Sequence, residues 1–480
     1  MKNINPKLFL VLGILTMAAS HMSFSIDLMA WVSSVPFLIY LSLTNGWKSR
    51  FLFILALIIA WSLCVAKILS PPMPVVMIFL FSVPISLFHL PAYLLWDKFK
   101  EYNWSFLLFP TILVLMEWIQ YTFTPFASWG VAAYTQSHNL TLMQSVSLFG
   151  MAGLSFLVYW VNISITEIAV NKKLTLAIFQ IPLSVLLVLV LFGALRYDIS
   201  KSKGTNTITA AAVGTDSEVS GLPLPSKESN DKVKNILFAR TRLAAKSNAV
   251  LVVWNEAATF ILPNEEPIWK DSLASLVSKL KISLVASYVM PVSTVPLKYE
   301  NKYLFIDSNG VIANTYHKHQ PVPGEPSMKG KEALQVIDIG GTKVGGAICY
   351  DYDFPYLARG FGKLNADIVA VPSSDWRGID PLHSRMAAFR AIEQGHSIIR
   401  STRFGNSAAI TPYGETIAQM SSYDKNDKVM IAYLPVRGVT TVYALIGDAF
   451  IYLCIGFILM FFCFQKKLNT EEDNFKNLKI

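Results

Sequence analysis

The chain has 480 residues, of which 53% are hydrophobic and only 15% are charged, and its mean hydropathy is +0.43. This balance is too apolar for an ordinary soluble protein or a disordered one. The formal net charge is +9. Basic residues that flank the apolar segments account for this charge without a nucleic-acid partner. Four cysteines exclude a dense disulfide framework, and only Cys349 lies outside an apolar run.

Eight apolar stretches approach the length of a transmembrane helix, roughly 17 to 25 residues. They are 8–25, 28–45, 51–69, 73–96, 104–123, 141–167, 174–196 and 441–464. The sequence therefore predicts three parts. Residues 1–197 form a seven-span bundle, residues 198–440 form a soluble domain, and residues 441–480 form a final transmembrane helix with a cytoplasmic tail.

Pairs of basic residues mark every second connection between these stretches. They are Lys2 and Lys7, Lys48 and Arg50, Lys98 and Lys100, Lys172 and Lys173, and Lys466 and Lys467. Basic residues in short loops stay on the cytoplasmic side. Both termini are therefore predicted to be cytoplasmic and the soluble domain extracytoplasmic, which in a bacterium is the periplasmic or extracellular side of the cytoplasmic membrane.

Short apolar runs alternate with helical patterns in the soluble part. Strands are predicted at 207–213, 249–254, 283–290, 343–349 and 366–372, helices at 231–247, 267–281 and 383–394, and hairpins around Asn309-Gly310 and Tyr413-Gly414. Several strands are apolar on both faces, which indicates a layered α/β sandwich. The segment 217–229 is rich in Ser, Pro and Gly, which predicts a loop there.

Three residues of complementary chemistry end or follow predicted strands. Glu256 follows strand 249–254, Lys318 follows a hairpin strand, and Cys349 ends strand 343–349. Side chains at such positions meet in a common crevice in α/β folds. There a carboxylate can accept the proton of a thiol, and an ammonium can stabilise a thiolate or an oxyanion. Singly, each residue also has an ordinary structural interpretation, as a buried thiol, a solvated carboxylate or a surface amine.

The sequence around these residues resembles the motifs of a known family. Trp254-Asn255-Glu256-Ala257-Ala258 resembles W-P-E-[ST]-A, Tyr316-His317-Lys318 with Val322-Pro323-Gly324-Glu325 resembles Y-x-K-x-x-L-V-P-F-G-E, and Ile348-Cys349-Tyr350-Asp351 with Phe354-Pro355 resembles I-C-Y-E-x-x-F-P. Ser373-Ser374-Asp375-Trp376 is similar to S-N-D-x-W-F, and Arg400-Ser401-Thr402 to R-A-T. On these motifs the chain resembles the apolipoprotein N-acyltransferases, which are membrane-bound members of the nitrilase superfamily.

The resemblance implies an α-helical membrane bundle joined to a nitrilase-like α-β-β-α sandwich. It implies that Glu256 is the general base, that Lys318 stabilises the oxyanion, and that Cys349 is the nucleophile. The expected substrates are a membrane phospholipid, as acyl donor, and the N-terminal amine of a diacylglyceryl-cysteine lipoprotein. Neither a cofactor nor a metal is expected. Residues expected to bind substrate or to support the catalytic groups are Glu325, Tyr350, Asp351 and Trp376.

Several residues depart from the family motifs. Asn255 replaces Pro, Asp351 replaces Glu, Gln120 replaces Arg in the membrane part, and one residue is missing between Pro323 and Gly324. Two other functions therefore stay open. In a membrane-tethered amidase, water would resolve the thioester on the same cysteine, whereas an inactive homologue would only bind lipoproteins. A metal enzyme is not expected, because the spacing of the histidines at 317, 319, 383 and 396 does not suit a metal site.

Overall fold

The computed structural model describes residues 5–70, 73–170, 177–202, 206–217, 224–424 and 428–477. Lys2, Lys172 and Lys173 of the predicted cytoplasmic connections lie outside these ranges, as does 218–223 of the predicted loop. The chain divides into two compact units, residues 1–192 with 446–480, and residues 193–445.

The first unit is helical. Its helices are α1 (Lys7–Ser20), α2 (Asp27–Ala30), α3 (Val35–Leu43), α4 (Trp47–Ala66), α5 (Val76–Phe99), α6 (Ser105–Phe123), α7 (Leu140–Met143), α8 (Val146–Val170), the first part of α9 (Ala177–Ser202), and α15 (Ala449–Asn477) at the end of the chain. Within the described residues, five helices are long and apolar enough to cross a membrane: α4, α5, α6, α8 and α9.

The first two predicted stretches form shorter helices than the sequence indicated. Helix α1 has 14 residues, and the second stretch is split into α2 and α3. Asn162 of α8 supports this break, because its side chain accepts a hydrogen bond from Ser34 N (2.8 Å) and donates one to Ala30 O (2.9 Å). A polar side chain from a neighbouring helix thus satisfies backbone groups that the broken helix leaves open.

Glu117 of α6 holds the connection between α6 and α7. Its Oε1 accepts hydrogen bonds from Ala132 N (2.9 Å) and Tyr159 Oη (2.6 Å). Gln120, one turn further along, donates to the carbonyl oxygens of Ala127 (3.0 Å) and Trp129 (2.8 Å). An ionisable group in an apolar helix is costly unless it has partners, and Glu117 is buried with a backbone and a side-chain donor.

The second unit is built on two sheets. Among the described residues the strands are β1 (Thr207–Val213), β2 (Leu251–Trp254), β3 (Ser283–Thr294), β4 (Leu297–Ile306), β5 (Ile312–His317), β6 (Val336–Ile339), β7 (Thr342–Gly346), β8 (Ile368–Ser374), β9 (Ser397–Arg403), β10 (Asn406–Ile410), β11 (Thr416–Ser421) and β12 (Val429–Pro435). The first sheet has the order β12-β1-β2-β3-β4-β5 and the second β11-β10-β9-β8-β7-β6. Strands β1–β3 and β7–β9 are parallel, and the remaining pairings are antiparallel.

Successive residues of the central strands face opposite layers. Ala212 and Val253 of the first sheet lie in one buried cluster with Val344, Ile368 and Ile399 of the second. Their neighbours on β1 and β2 lie in a second cluster with apolar side chains of α10 (Lys227–Lys246) and α11 (Glu266–Leu280). The sheets therefore face each other, and helices cover the outer face of the first sheet.

Helices α12 (Pro355–Lys363) and α13 (Leu382–Gln394) cover the second sheet. A Cβ built on Gly345 of β7 would meet the ring of Phe361 in α12 at 2.5 Å, so the absence of a side chain permits this close packing. All of α13 except Arg385 is buried. Helix α14 (Val442–Ile446) follows the last strand. The predicted α-β-β-α sandwich is confirmed.

Candidate active site

Lys318 lies between the carboxylates of buried Glu256 and half-buried Glu325. It directly follows β5, and its Nζ is 2.8 Å from Glu256 Oε1 and 2.7 Å from Glu325 Oε2. Glu256 lies two residues beyond β2, and its backbone N donates to Ser373 O of β8 (3.3 Å). Glu256 therefore stands where the first sheet meets the second. The structure brings together three of the residues that the sequence singled out.

Asn301 of β4 completes this group and was not predicted. Its Nδ2 donates to Glu256 Oε1 (2.7 Å) and Glu325 Oε1 (3.2 Å), and its backbone O accepts a hydrogen bond from Lys318 N (2.8 Å). One amide thus fixes the separation of the two carboxylates. The available sequence signal was a polar residue two positions before Tyr303, where the apolar end of β4 begins.

Cys349 begins a short 3₁₀ turn, Cys349–Asp353, rather than ending a strand. Strand β7 stops at Gly346, and Cys349 has a φ of +47°. The prediction that it ends a strand is wrong, because this φ lies in the left-handed region, outside the strand conformation. The residue is 4% exposed, and its Sγ lies 3.5 Å from Ser374 O. The nucleophile candidate is therefore held at a sharp change of chain direction.

Asp351 holds this turn in place. Its Oδ2 accepts hydrogen bonds from Ile348 N (3.1 Å) and Tyr316 Oη (2.8 Å), and its Oδ1 accepts from Gln320 N (2.6 Å). Burial raises the pKa of Asp351 to about 6, although Lys318 and these hydrogen bonds oppose the rise. A positive φ at a non-glycine residue costs on the order of 1–3 kcal/mol. The contacts of Asp351 offset this cost next to Cys349.

Burial and the nearby carboxylates keep the thiol of Cys349 neutral at rest. Burial raises the pKa of Cys349 well above its ordinary value, the carboxylate of Glu256 adds to the rise, and the ammonium of Lys318 opposes it. Burial alone would lower the pKa of Lys318, but Glu256 and Glu325 outweigh it and raise that pKa. Lys318 in turn lowers the pKa of Glu325 against the effect of burial. The site thus holds a protonated amine, an ionised Glu325 and an undissociated thiol.

Four charged side chains form a second buried group beside Cys349. His383 Nδ1 is 2.7 Å from Asp375 Oδ1, and His383 Nε2 is 2.9 Å from Asp353 Oδ1. Arg400 Nη2 and Nη1 donate to the two oxygens of Asp375 (2.7 and 3.0 Å). Burial by itself lowers the pKa of His383, but Asp353 and Asp375 outweigh it and raise the pKa to about 9. Two carboxylates therefore balance an imidazolium and a guanidinium.

Cys349, Asp375 and His383 also present three possible metal ligands. One donor atom from each lies within 4.8 Å of the others. However, Arg400 already places its guanidinium against both oxygens of Asp375 and 2.8 Å from His383 Nδ1. The positive charge that a metal would supply at this point comes from Arg400, so these residues fit an ionic cluster better than a metal centre.

Comparison with known proteins identifies the family. The carbon-nitrogen hydrolase family profile matches residues 176–443, more than half of the chain. The chain belongs to the carbon-nitrogen hydrolase family. The apolipoprotein N-acyltransferase N-terminal domain profile matches residues 12–164. Together the two matches confirm the resemblance to the membrane-bound apolipoprotein N-acyltransferases within this family.

Relatives named as apolipoprotein N-acyltransferases align with the chain over most of their length. The chain is 25% identical over 383 residues to the apolipoprotein N-acyltransferase of Borreliella burgdorferi, covering 72% of each protein. It is 24% identical over 435 residues to that of Rickettsia bellii, covering 82% of this chain and 85% of the relative. Among solved structures, an amidase from Nesterenkonia sp. is 17% identical with a TM-score of 0.41, covering 52% of this chain and 96% of the amidase.

The remaining residues taken from the family motifs lie around the Cys349 turn. Tyr350 is buried, and its ring meets that of Phe354 edge to face at 5.4 Å. Trp376 is half-buried two residues beyond Ser374, whose carbonyl oxygen faces the Cys349 thiol. Like Asn301, Asp353 was not predicted, because it occupies a position that the motif around Cys349 leaves unspecified. His383 was considered only as a metal ligand.

Proposed function

We propose that the chain transfers an acyl group from a membrane phospholipid, through a thioester on Cys349, to the N-terminal amine of diacylglyceryl-cysteine lipoproteins. The family supports an acyltransferase of the carbon-nitrogen hydrolase superfamily. The observation that carries the mechanism is the ionic group Glu256–Lys318–Glu325 next to a neutral thiol. A thiol that is protonated at rest needs a base at the moment of attack, and Glu256 is the carboxylate available.

In the first step, Glu256 accepts the proton of Cys349 as the sulfur attacks the ester carbonyl of the phospholipid. Lys318 and the backbone N–H of Tyr350 stabilise the oxyanion of the tetrahedral intermediate. The carbon–oxygen bond then breaks, and the leaving lysophospholipid alkoxide takes the proton from Glu256. The products are a neutral alcohol and an acyl thioester on Cys349.

In the second step, the acceptor amine attacks the thioester and loses its proton to Glu256. The carbon–sulfur bond breaks, an amide forms, and the proton returns to the sulfur of Cys349. Glu325 keeps Lys318 charged and oriented through both steps, because the charge of each carboxylate raises the pKa of the lysine. The lysophospholipid product leaves before the acceptor amine reacts, so ping-pong kinetics are expected. Atoms and protons balance without a cofactor.

The apolar helices suit substrates that remain in a bilayer. We assign the chain to the bacterial cytoplasmic membrane, with the second unit on the periplasmic or extracellular side, on the basis of the basic residues at alternate connections. An enzyme for acylated substrates gains from membrane anchoring because neither donor nor acceptor leaves the lipid phase.

The test is to incubate the purified protein in detergent with a labelled phospholipid and to measure its intact mass before and after adding a diacylated lipopeptide. The unmodified protein should gain one acyl mass and pass it to the peptide amine, whereas Cys349→Ala should gain none. Cys463→Ala is the matched control and should behave like the unmodified protein. Loss of the acyl group to water, with no peptide product, would instead indicate a hydrolase. No adduct at all would indicate a lipoprotein-binding homologue without catalytic activity.

A further inference from the structure

His383 connects the two backbone segments that meet at the Cys349 thiol. Through Nε2 it contacts Asp353, the last residue of the 3₁₀ turn that Cys349 begins. Through Nδ1 it contacts Asp375, the first residue after β8, whose last residue, Ser374, carries the carbonyl facing the thiol. A donor atom of His383 lies within 4.8 Å of Cys349 Sγ. The same imidazole therefore fixes both sides of the nucleophile.

His383 contacts a carboxylate from each end of its ring, and Arg400 Nη2 also lies 2.8 Å from Nδ1. Both carboxylates are buried, and they only accept hydrogen bonds when ionised. A protonated imidazole donates from both ring nitrogens, whereas a carboxamide donates from one nitrogen only. A pKa of about 9 for His383 agrees with this form at neutral pH.

The bridge also sets the net charge that faces the thiol. His383 faces Asp353, Asp375 and Arg400. With His383 protonated, the two positive and two negative charges of the cluster cancel. Without the imidazolium one negative charge is in excess beside the sulfur, and this opposes formation of a thiolate. The other charged groups that face Cys349 are Glu256, Lys318 and Arg403.

We propose that His383 is a positioning residue for Cys349, which clamps the nucleophile's turn to the end of β8 and cancels the negative charge of Asp353 and Asp375 beside the thiol. This inference rests on the proposed function in one respect, that Cys349 is the reacting group. It assigns a purpose to Asp353, which lies within the nucleophile's own turn at a position that the family motif leaves unspecified.

The test compares His383→Gln with Asp353→Asn by the rate at which iodoacetamide alkylates Cys349 across the neutral and alkaline pH range. Alkylation is quantified on the peptide that contains Cys349, and Cys463→Ser serves as the control. His383→Gln should move the profile to higher pH and slow alkylation at neutral pH about tenfold. Asp353→Asn removes a negative charge and should move the profile to lower pH.

If the pH profiles of the two variants move in opposite directions, His383 acts through its charge. A purely structural role is excluded in that case, because a loosened turn would move both profiles in the same direction. The proposal would be overturned if both pH profiles moved in the same direction, or if the profile of Asp353→Asn did not move. Should His383→Gln fail to fold, the Asp353→Asn profile alone still decides. Alkylation needs no phospholipid or lipopeptide, so it separates this inference from acyl transfer. In an active preparation, His383→Gln should lower kcat about tenfold and leave the KM for the lipopeptide unchanged.

Discussion

At the scale of single residues, the site is organised around one ammonium group. Lys318 contacts both Glu256 and Glu325, and Asn301 ties the two carboxylates together. Only one of these carboxylates has to exchange protons in the proposed reaction. The other serves to keep the lysine charged in a buried place, where desolvation would otherwise favour the neutral amine.

Glu325→Gln should therefore change the pH dependence of acyl transfer. Removal of this negative charge lowers the pKa of Lys318, so the loss of activity on the alkaline side should move to lower pH. A fall in kcat of about tenfold at neutral pH, equivalent to about 1.4 kcal/mol, is the expected size. The pH profile of the transfer rate from phospholipid to lipopeptide is the measurement.

Glu265→Gln is the matched control for this variant. Glu265 also pairs with a lysine, Lys234, at 3.4 Å, but it is partly exposed and outside the site. Its pH profile should match that of the unmodified protein. An unchanged alkaline limb in Glu325→Gln would contradict the role given to Glu325.

At the scale of secondary-structure elements, the two sheets supply different halves of the site. The first sheet positions Glu256, Asn301 and Lys318, and the second sheet leads into Cys349. The side chains of two tyrosines of the first sheet form hydrogen bonds with residues of the second. Tyr303 Oη donates to Gly346 O (2.9 Å), and Tyr316 Oη donates to Asp351 Oδ2 (2.8 Å). The two rings also stack on each other at 5.1 Å. These contacts fix the position of one sheet relative to the other.

Tyr316→Phe should raise the pH below which activity is lost. The hydroxyl of Tyr316 stabilises the ionised form of Asp351, whose pKa is about 6, so removing it raises this pKa further. Protonated Asp351 holds the Cys349 turn less well, and the acid limb of the rate profile should therefore move up by as much as about one pH unit. Tyr303→Phe, which loses a hydrogen bond to a carbonyl instead, should keep the acid limb in place. Equal movement in both variants would contradict this assignment.

At the scale of the whole molecule, the sequence predicted the layers better than the polar contacts. Strand 207–213 and the hairpin of β4 and β5 were predicted closely because apolar runs and turn residues are local signals. Strand β9 was missed, although every residue in it is buried, because Arg400 and Arg403 interrupt the apolar pattern. Their partners Asp375 and Ser217 are distant along the chain. For the same reason Asn301 could not be recognised, since its role depends on which strands become neighbours.

The predicted orientation can be tested on the full chain in spheroplasts. Val295 is 89% exposed in the second unit, whereas Lys48 follows Trp47 at the start of α4 in a predicted cytoplasmic connection. In a Cys463→Ser background, Val295→Cys should react with a membrane-impermeant maleimide at once, because the second unit is expected outside. Lys48→Cys should react only after permeabilisation. The reverse pattern would contradict the positive-inside assignment.

The proposed acyl transfer requires a covalent acyl group on Cys349. The most direct measurement is peptide-resolved mass spectrometry of the protein after exposure to phospholipid and before any acceptor is added. We predict one acyl mass on the peptide that contains Cys349, labile to neutral hydroxylamine as a thioester is, and removed when lipopeptide is supplied. An acyl group on another residue, or acyl transfer to the lipopeptide by Cys349→Ala, would contradict the role of Cys349 as the nucleophile.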